Sequence, residues 1–266
     1  MKRSERLVLK IFSLIVYLAM ITVNYLANAL PIAGKNTGEV SDAYPNLFAP
    51  AGLTFSIWGL IYLLLAAYIV YYLIKKSTDN IVLFNKVAIF FIISSLANVA
   101  WIFAWHYGVL ILSVVLMIII LVSLIKIADL INKDKLSRKE QFFFRLPFSI
   151  YFGWISVATI ANITALLVDL NWNGFGISEI TWMIIILFIG AVIGILRSYK
   201  DKNIPYLLVF IWAYFGIWFK HTSVTGFNSK YPSIITSIIV ALVLLVISLA
   251  FIFYKKNKKL FFKESV

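Results

Sequence analysis

Long apolar stretches separated by short polar connections dominate the chain. Eight of them lie near residues 8–30, 52–74, 84–105, 109–130, 144–168, 178–197, 204–220 and 232–254. A helix needs about 20 apolar residues to cross a hydrocarbon core of about 30 Å, and each stretch approaches that length, the seventh being the shortest. The pattern predicts an all-α integral membrane protein, a bundle of about eight transmembrane helices.

Prolines and glycines mark the connections between these stretches. Four prolines stand at or just before a predicted helix start, where a missing N–H group costs little: Pro50, Pro147, Pro205 and Pro232. No proline interrupts a stretch, which supports the predicted boundaries. Residues 31–51 form the longest predicted non-helical connection, because their glycines and prolines oppose regular structure. We expect residues 131–143 to form a plain solvated connection.

Composition agrees with a membrane environment. The 266 residues are 62% hydrophobic and only 13% charged, whereas soluble domains carry roughly 25% charged residues. The lipid bilayer must therefore cover most of the surface. The net charge of +13 lies in short clusters between apolar stretches, which is typical of membrane topology. No basic aromatic groove is present, so nucleic acid is not an expected partner.

Lysine and arginine fall almost entirely on one side of the predicted bundle. If the first helix begins inside, only Lys35, Lys220 and Lys230 of the 24 basic residues lie outside. The positive-inside rule then places both termini in the cytoplasm, with the cell membrane as the simplest location. A cleaved signal peptide ending near Ala27-Asn28-Ala29 is the less favoured alternative, because its apolar region of about 20 residues exceeds the usual 7–15.

The predicted membrane interior holds almost no ionisable side chains. Lys86, Lys126, Asp129 and Asp169 fall near the ends of stretches, where snorkelling is cheap. A pump that relays protons through buried carboxylates is therefore disfavoured. The chain has no cysteine, and it offers no phosphate-binding glycine loop, no Ser/His/Asp set and no paired carboxylates. We predict no catalytic residues and no enzymatic activity.

The two histidines, His106 and His221, fall at the outer ends of predicted helices. Two ligands without a carboxylate cluster make a poor metal site, so we predict no metal centre. An alternative is that His106 ligates the metal of a bound tetrapyrrole. Gly190 and Gly194 allow close helix approach in the sixth helix. Packing inside the bundle is the favoured interpretation, and a homo-oligomer contact is the alternative.

Tryptophan and asparagine concentrate in the outer halves of the predicted helices. Five of the eight tryptophans lie there, two lie deeper, and the inner interface has none. An aromatic girdle would occupy both interfaces, so the asymmetry favours an outward-facing aromatic pocket. The asparagines within helices follow the same pattern: Asn24, Asn28, Asn98 and Asn162. They either bond to neighbouring helices or orient a ligand in an apolar cavity.

Aromatic, small and amide side chains recur every three or four residues on three predicted helices, and so share one face of each helix. The three sets are Trp58 and Tyr62, then Asn98, Trp101 and Trp105, and then Trp154, Ala158 and Asn162. A flat apolar ligand needs stacking surfaces and a few orienting polar groups. We predict that these residues form the ligand-binding site.

At these residues the chain resembles the TspO/MBR family of tryptophan-rich sensory or translocator proteins. Residues 50–62 are similar to the family's Pro-Gly-rich entry into a Trp-x3-Tyr helix. Asn98-Val99-Ala100-Trp101 resembles the Asn-x2-Trp of its third helix. The stripe that begins at Trp154 resembles the Trp-x3-Ala-x3-Asn of its fifth. Three motifs in the family's order indicate an extended, divergent member.

The resemblance implies a five-helix transmembrane core over residues 1–170, with residues 31–51 as a lid. It also implies an aromatic site for a porphyrin or haem-related tetrapyrrole, bound as a ligand and not required as a cofactor. Residues 171–266 add three transmembrane helices and a basic cytoplasmic tail. We predict a membrane receptor or translocator for a small, flat hydrophobic ligand. A permease or facilitator for a lipophilic solute, and a membrane scaffold or assembly subunit, are the alternatives.

Overall fold

The computed structural model describes residues 3–30, 32–75 and 80–261. The protein is 85% helical, and the described residues contain no β-strand. Eight of the described helices are long and apolar enough to cross a membrane. The predicted all-α fold with about eight transmembrane helices is confirmed.

Ten α-helical segments follow one another along the described residues. They are α1 (Arg3–Ala29), α2 (Thr37–Asp42), α3 (Ile57–Ile74), α4 (Ile81–His106), α5 (Leu110–Lys133), α6 (Arg138–Glu140), α7 (Leu146–Asp169), α8 (Glu179–Asp201), α9 (Ile204–Thr222) and α10 (Pro232–Phe261). The short helix α6 continues into α7 as one span, Arg138–Asp169. The seventh span, α9, is the shortest at 19 residues.

The connection 31–51 contains more structure than its glycines and prolines predict. Asn36 caps α2, and its side-chain oxygen accepts hydrogen bonds from the backbone N–H groups of Gly38 and Glu39 at 3.0 Å. The Glu39 carboxylate in turn accepts from the Asn36 N–H at 2.7 Å. This reciprocal capping box stabilises a helix start, so the prediction of a wholly non-helical connection is wrong.

The connection 131–143 is also more than a solvated linker, and that prediction is wrong. Helix α5 continues to Lys133, and the chain becomes helical again behind a capping box formed by Ser137 and Glu140. Glu140 is buried, with its carboxylate 2.7 Å from the ammonium group of Lys75. A buried ion pair therefore fixes this end of the fifth span to α3.

A π-helical turn, Gln141–Arg145, joins α6 to α7. Pro147 stands two residues after this turn and has no N–H group to donate to it. The wider turn accommodates the missing bond, because a π-bulge offsets the i to i−4 ladder locally. The helix consequently runs through the proline, and the fifth span begins at Arg138 instead of near residue 144.

The chain divides into two compact units. Unit 1 comprises Met1–Pro45 and Ser56–Leu170, and it holds α1 to α7. Within it, α4 packs along α5 and α1, and α7 packs along α5 and α3. Unit 2 comprises Asn46–Phe55 and Asn171–Val266, and it holds α8, α9 and α10.

Small residues allow the helices of unit 2 to pack closely. A Cβ atom added at Gly194 of α8 would stand 2.8 Å from the ring of Phe210 in α9, so only glycine permits this approach. The Tyr214 hydroxyl of α9 donates to the Leu187 carbonyl oxygen of α8 at 2.6 Å. Gly190 is buried in the same helix. Gly194 therefore serves packing within unit 2.

Candidate functional site

Trp58 is the centre of an aromatic cluster in unit 1. Its ring stacks on Tyr62, one turn along α3, with 5.4 Å between the ring centroids. It lies 6.4 Å from Trp101 of α4. It also meets Tyr151 and Trp154 of α7 edge to face, at 6.0 Å and 6.3 Å. Three helices thus contribute to one group of rings, which we call the tryptophan cluster.

A second stack extends the tryptophan cluster along α4. Trp101 and Trp105 stack at 5.7 Å, and Tyr44 lies 6.1 Å from Trp105. The indole N–H of Trp105 donates to the backbone carbonyl oxygen of Thr37 at 3.3 Å. The part of the long connection that belongs to unit 1 therefore lies against these rings.

His106 contacts the same part of the connection through its ring nitrogens. Its Nδ1 atom lies 3.1 Å from the Ile32 carbonyl oxygen, and its Nε2 atom lies 3.2 Å from the Thr37 hydroxyl. Both ring nitrogens are thus engaged by the connection. In unit 2, Nε2 of the fully buried His221 lies 2.9 Å from the Leu47 carbonyl oxygen. Within the described ranges, no group of three or more His, Asp or Glu side chains is arranged to hold a metal ion.

Buried amides link the helices of unit 1 around the rings. Asn24 of α1 donates from Nδ2 to Oδ1 of Asn98 at 2.7 Å. The Trp101 indole N–H donates to Oδ1 of Asn162 at 3.0 Å. Nδ2 of Asn162 donates to the Ser113 hydroxyl of α5 at 2.9 Å. Lipid offers no substitute for such bonds, so both polar atoms of the Asn162 side chain serve the packing of α4, α5 and α7.

Polar groups with little or no protein partner remain at the tryptophan cluster. The Tyr62 hydroxyl is buried without a hydrogen-bond partner among the residues described, and the Tyr151 hydroxyl and the Nδ2 atom of Asn98 meet only each other. Leaving such a group unpaired costs about 1–3 kcal/mol, and most buried polar groups are satisfied by protein, water or a ligand. All three groups are donors, so the cluster is suited to a partner that carries acceptors.

The eight predicted site residues all lie in unit 1. Ala158 is half-buried, one turn along α7 from Trp154. Sequence reasoning omitted Tyr151, although it stands three residues before Trp154 and shares its helix face. Asn24 was named among the helical asparagines but not placed in the predicted site, and its hydrogen bond to Asn98 agrees with the interpretation that these amides bond to neighbouring helices. Ser113 gave no signal, because a lone serine in an apolar helix is common.

Residues 46–55 make a separate close contact with α9 in unit 2. The Ala51 N–H donates to the Gly216 carbonyl oxygen at 3.1 Å, and the Trp212 indole N–H donates to the Thr54 carbonyl oxygen at 3.0 Å. A Cβ atom added at Gly216 would stand 1.9 Å from the Thr54 hydroxyl oxygen. Only glycine permits so close an approach, so α9 holds the second part of the connection that we predict to be a lid.

These features define an α-helical integral membrane protein with an aromatic and amide-lined site among its N-terminal helices. The model of the family described as TSPO-like protein matches residues 10–252, and the chain belongs to this family. The match includes α8, α9 and most of α10, so the C-terminal helices are part of the matched pattern. No curated protein and no solved structure matches the chain.

Proposed function

We propose that the protein is a membrane receptor or translocator whose tryptophan cluster binds a flat hydrophobic ligand. The observation that carries the proposal is the coincidence of ring faces with unpaired donors. Trp58, Trp101 and Trp154 supply aromatic surface from three helices. The unpaired Tyr62 hydroxyl lies at the same cluster, as does the Nδ2 atom of Asn98, which meets only the Tyr151 hydroxyl. Sites for small apolar molecules commonly combine apolar walls with a few orienting polar groups.

A porphyrin or haem-related tetrapyrrole is the ligand class that this chemistry favours. Its macrocycle is broad and apolar enough to stack on several indole rings. Its carboxylate side chains are acceptors for the hydroxyl and amide donors. Membership of the TSPO-like family and the motifs shared with the TspO/MBR family support the same class. The ligand is cargo or signal in this proposal, and the fold does not require it as a cofactor.

The proposed role is not enzymatic. The polar groups described at the tryptophan cluster are indoles, amides and hydroxyls. None of these groups titrates near neutral pH, so the cluster binds and orients without a general acid or base. Any chemistry would have to come from the bound pigment.

We also propose an orientation with both termini in the cytoplasm, in the plasma membrane. All but Lys35, Lys220 and Lys230 of the 24 basic residues fall on one side of the eight spans, as the positive-inside rule predicts. In this orientation Trp58 lies near the outer end of α3 and Trp101 near the outer end of α4. The tryptophan cluster would then receive its ligand from the outer half of the bilayer.

Quenching of intrinsic tryptophan fluorescence tests binding. Protoporphyrin IX is titrated into the purified full chain in detergent, and we expect saturable quenching. Trp154→Phe should weaken the affinity, because it removes an indole of the cluster. Trp218→Phe is the matched control: its ring packs on Phe215 in unit 2, and the substitution removes one fluorophore without touching the cluster.

The outcomes separate binding from partitioning. Saturable quenching that weakens in Trp154→Phe and not in Trp218→Phe supports the proposed site. Quenching that rises without saturation, and equally in all three proteins, means that the pigment only dissolves in the micelle. The proposed function would then be abandoned.

A further inference from the structure

Unpaired polar groups continue through unit 1 beyond the tryptophan cluster. The Ser95 hydroxyl of α4 and the Tyr68 hydroxyl of α3 are also buried, without a hydrogen-bond partner in the part of the chain that the structure describes. Ser95 lies one turn from Asn98, and Tyr68 lies further along the helix that carries Tyr62. With the Tyr151 hydroxyl, which meets only the Asn98 amide, these groups all belong to α3, α4 and α7.

Ring contacts place these groups along one seam between the three helices. The Tyr68 ring lies 5.3 Å from Phe91 of α4 and 4.8 Å from Phe148 of α7. Ser95 stands four residues after Phe91, and Tyr151 stands three residues after Phe148. Ser95 and Tyr151 therefore lie on the helix faces that line the seam. They stand between Tyr68 and the tryptophan cluster along their helices.

Beyond Tyr68 the fully buried rings of Phe84 and Phe144 stack at 3.9 Å, and the polar groups at the far end of the seam are paired. The Lys75 ammonium lies 2.7 Å from the Glu140 carboxylate, and the two side chains are 12% and 5% exposed. Lys10 donates to the Lys75 carbonyl oxygen at 2.7 Å. The Tyr72 hydroxyl donates to Oδ1 of Asn85 at 2.8 Å. Paired polar groups therefore close this end of the seam.

We propose that this seam is a water-holding path that leads from the tryptophan cluster to Tyr68, and that the stacked rings and the Lys75–Glu140 ion pair beyond Tyr68 close it. Water satisfies the donors that protein leaves unpaired, since a buried water usually has two to four polar partners. The path extends the proposed function and depends on it in one respect only, the identity of the ligand that would move along it. The polar edge of a ligand would move along it while the macrocycle remains among the rings.

Cysteine accessibility tests the path directly, because the chain has no cysteine of its own. Ser95→Cys places one thiol on the seam. Ser94→Cys is the matched control: Ser94 is equally buried at 0% exposure, but its hydroxyl donates to the Phe91 carbonyl oxygen at 2.9 Å. The full chain in proteoliposomes, without pigment, is treated with a small charged methanethiosulfonate.

The Ser95→Cys thiol should react at least about tenfold faster than the Ser94→Cys thiol. Water along the seam allows the Ser95→Cys thiol to ionise, whereas dry burial opposes ionisation of the Ser94→Cys thiol, and each pKa unit lowers the amount of reactive thiolate about tenfold. Adding Glu140→Gln to Ser95→Cys should accelerate the reaction further. Equal rates for the two thiols, or an inert Ser95→Cys thiol in both backgrounds, would overturn the path. Reaction without acceleration by Glu140→Gln would overturn the closing role of the ion pair.

A second measurement covers the case in which the cysteine variants do not fold. Tyr68→Phe removes an unpaired hydroxyl, and Tyr72→Phe removes a paired one. If water holds the Tyr68 hydroxyl, neither variant gains thermal stability. A higher Tm for Tyr68→Phe would show a dry, unsatisfied hydroxyl and would overturn the path. These experiments contain no pigment, so failure of protoporphyrin binding leaves their result unaffected.

Discussion

Replacement of Asn162 by leucine tests whether the amide network holds the tryptophan cluster in place. Asn162 is 2% exposed, accepts a hydrogen bond from Trp101 and donates one to Ser113. Leucine has nearly the same shape but no polar group. The substitution therefore removes two bonds between helices and leaves the Trp101 indole N–H without its acceptor inside an apolar bundle.

The size of the effect follows from these losses. Each hydrogen bond between membrane helices is worth roughly 0.6–1.5 kcal/mol. A buried N–H group left unpaired adds about 1–3 kcal/mol. We therefore expect Asn162→Leu to lower the free energy of unfolding by about 2–6 kcal/mol.

Asn98→Leu is the matched control, since it makes the same change at another buried asparagine. The Asn24 amide loses its bond to Asn98 but keeps its bond to the Met20 carbonyl oxygen at 2.9 Å. The substitution also removes the Nδ2 atom, which meets only the Tyr151 hydroxyl. These effects offset each other, so we expect the free energy of unfolding to change by no more than about 1 kcal/mol.

Ligand affinity should follow the opposite order. Asn98→Leu removes a donor that we propose to face the ligand, and the loss of about 1.4 kcal/mol corresponds to a tenfold weaker Kd. Asn162→Leu removes groups that are already used by protein. Unfolding in mixed detergent micelles ranks the two variants by stability, and protoporphyrin titration of the folded variants ranks them by ligand affinity. The reasoning is refuted if Asn98→Leu is the more destabilising substitution, or if Asn162→Leu, still folded, loses more affinity.

Two further pairs of substitutions test packing and charge. Gly216→Ala forces a Cβ atom onto Thr54 and should lower the Tm. Gly59→Ala is the control: no atom lies within 4 Å of its added Cβ, so the Tm should stay unchanged or rise. Equal shifts of the Tm in the two variants would contradict the close contact. Lys75→Met removes the cation beside the buried Glu140 carboxylate, which keeps its capping bond from the Ser137 N–H at 2.8 Å. The substitution should cost about 3 kcal/mol of stability by denaturant titration. Adding Glu140→Leu removes the uncompensated charge together with the capping box and should restore part of this loss; a double variant whose loss equals the sum of the two single losses would argue against coupling.

The spans could be predicted because one physical requirement dominates them. Every helix that crosses the bilayer must be long and apolar, and this property is local in the sequence. The start of the fifth span at Arg138 was missed because charged and aromatic residues precede Pro147. Its explanation needs the partner of Glu140, which lies 65 positions away in the chain. The capping box of Asn36 and Glu39, in contrast, is local and detectable.

The candidate site was predictable only in part for the same reason. Helical spacing brings Trp58, Trp101 and Trp154 onto facing stripes, and the structure places these rings together. Spacing does not reveal which amide is already used. Asn98 and Asn162 look equivalent along the sequence, yet both polar atoms of Asn162 form well-aligned hydrogen bonds, whereas Nδ2 of Asn98 meets only the Tyr151 hydroxyl. That distinction depends on α1 and α5, which contribute the partners.

The distribution of polar groups in unit 1 separates packing from the proposed function. Where α1 and α5 meet the other helices, Asn24 and Ser113 complete hydrogen bonds. Where α3, α4 and α7 face one another, Tyr62 and Ser95 carry unpaired hydroxyl groups. Lipid cannot satisfy them, and packing alone would favour apolar side chains there. In both proposals these hydroxyl groups are satisfied by a partner that is not protein: a ligand at the tryptophan cluster, and water along the seam.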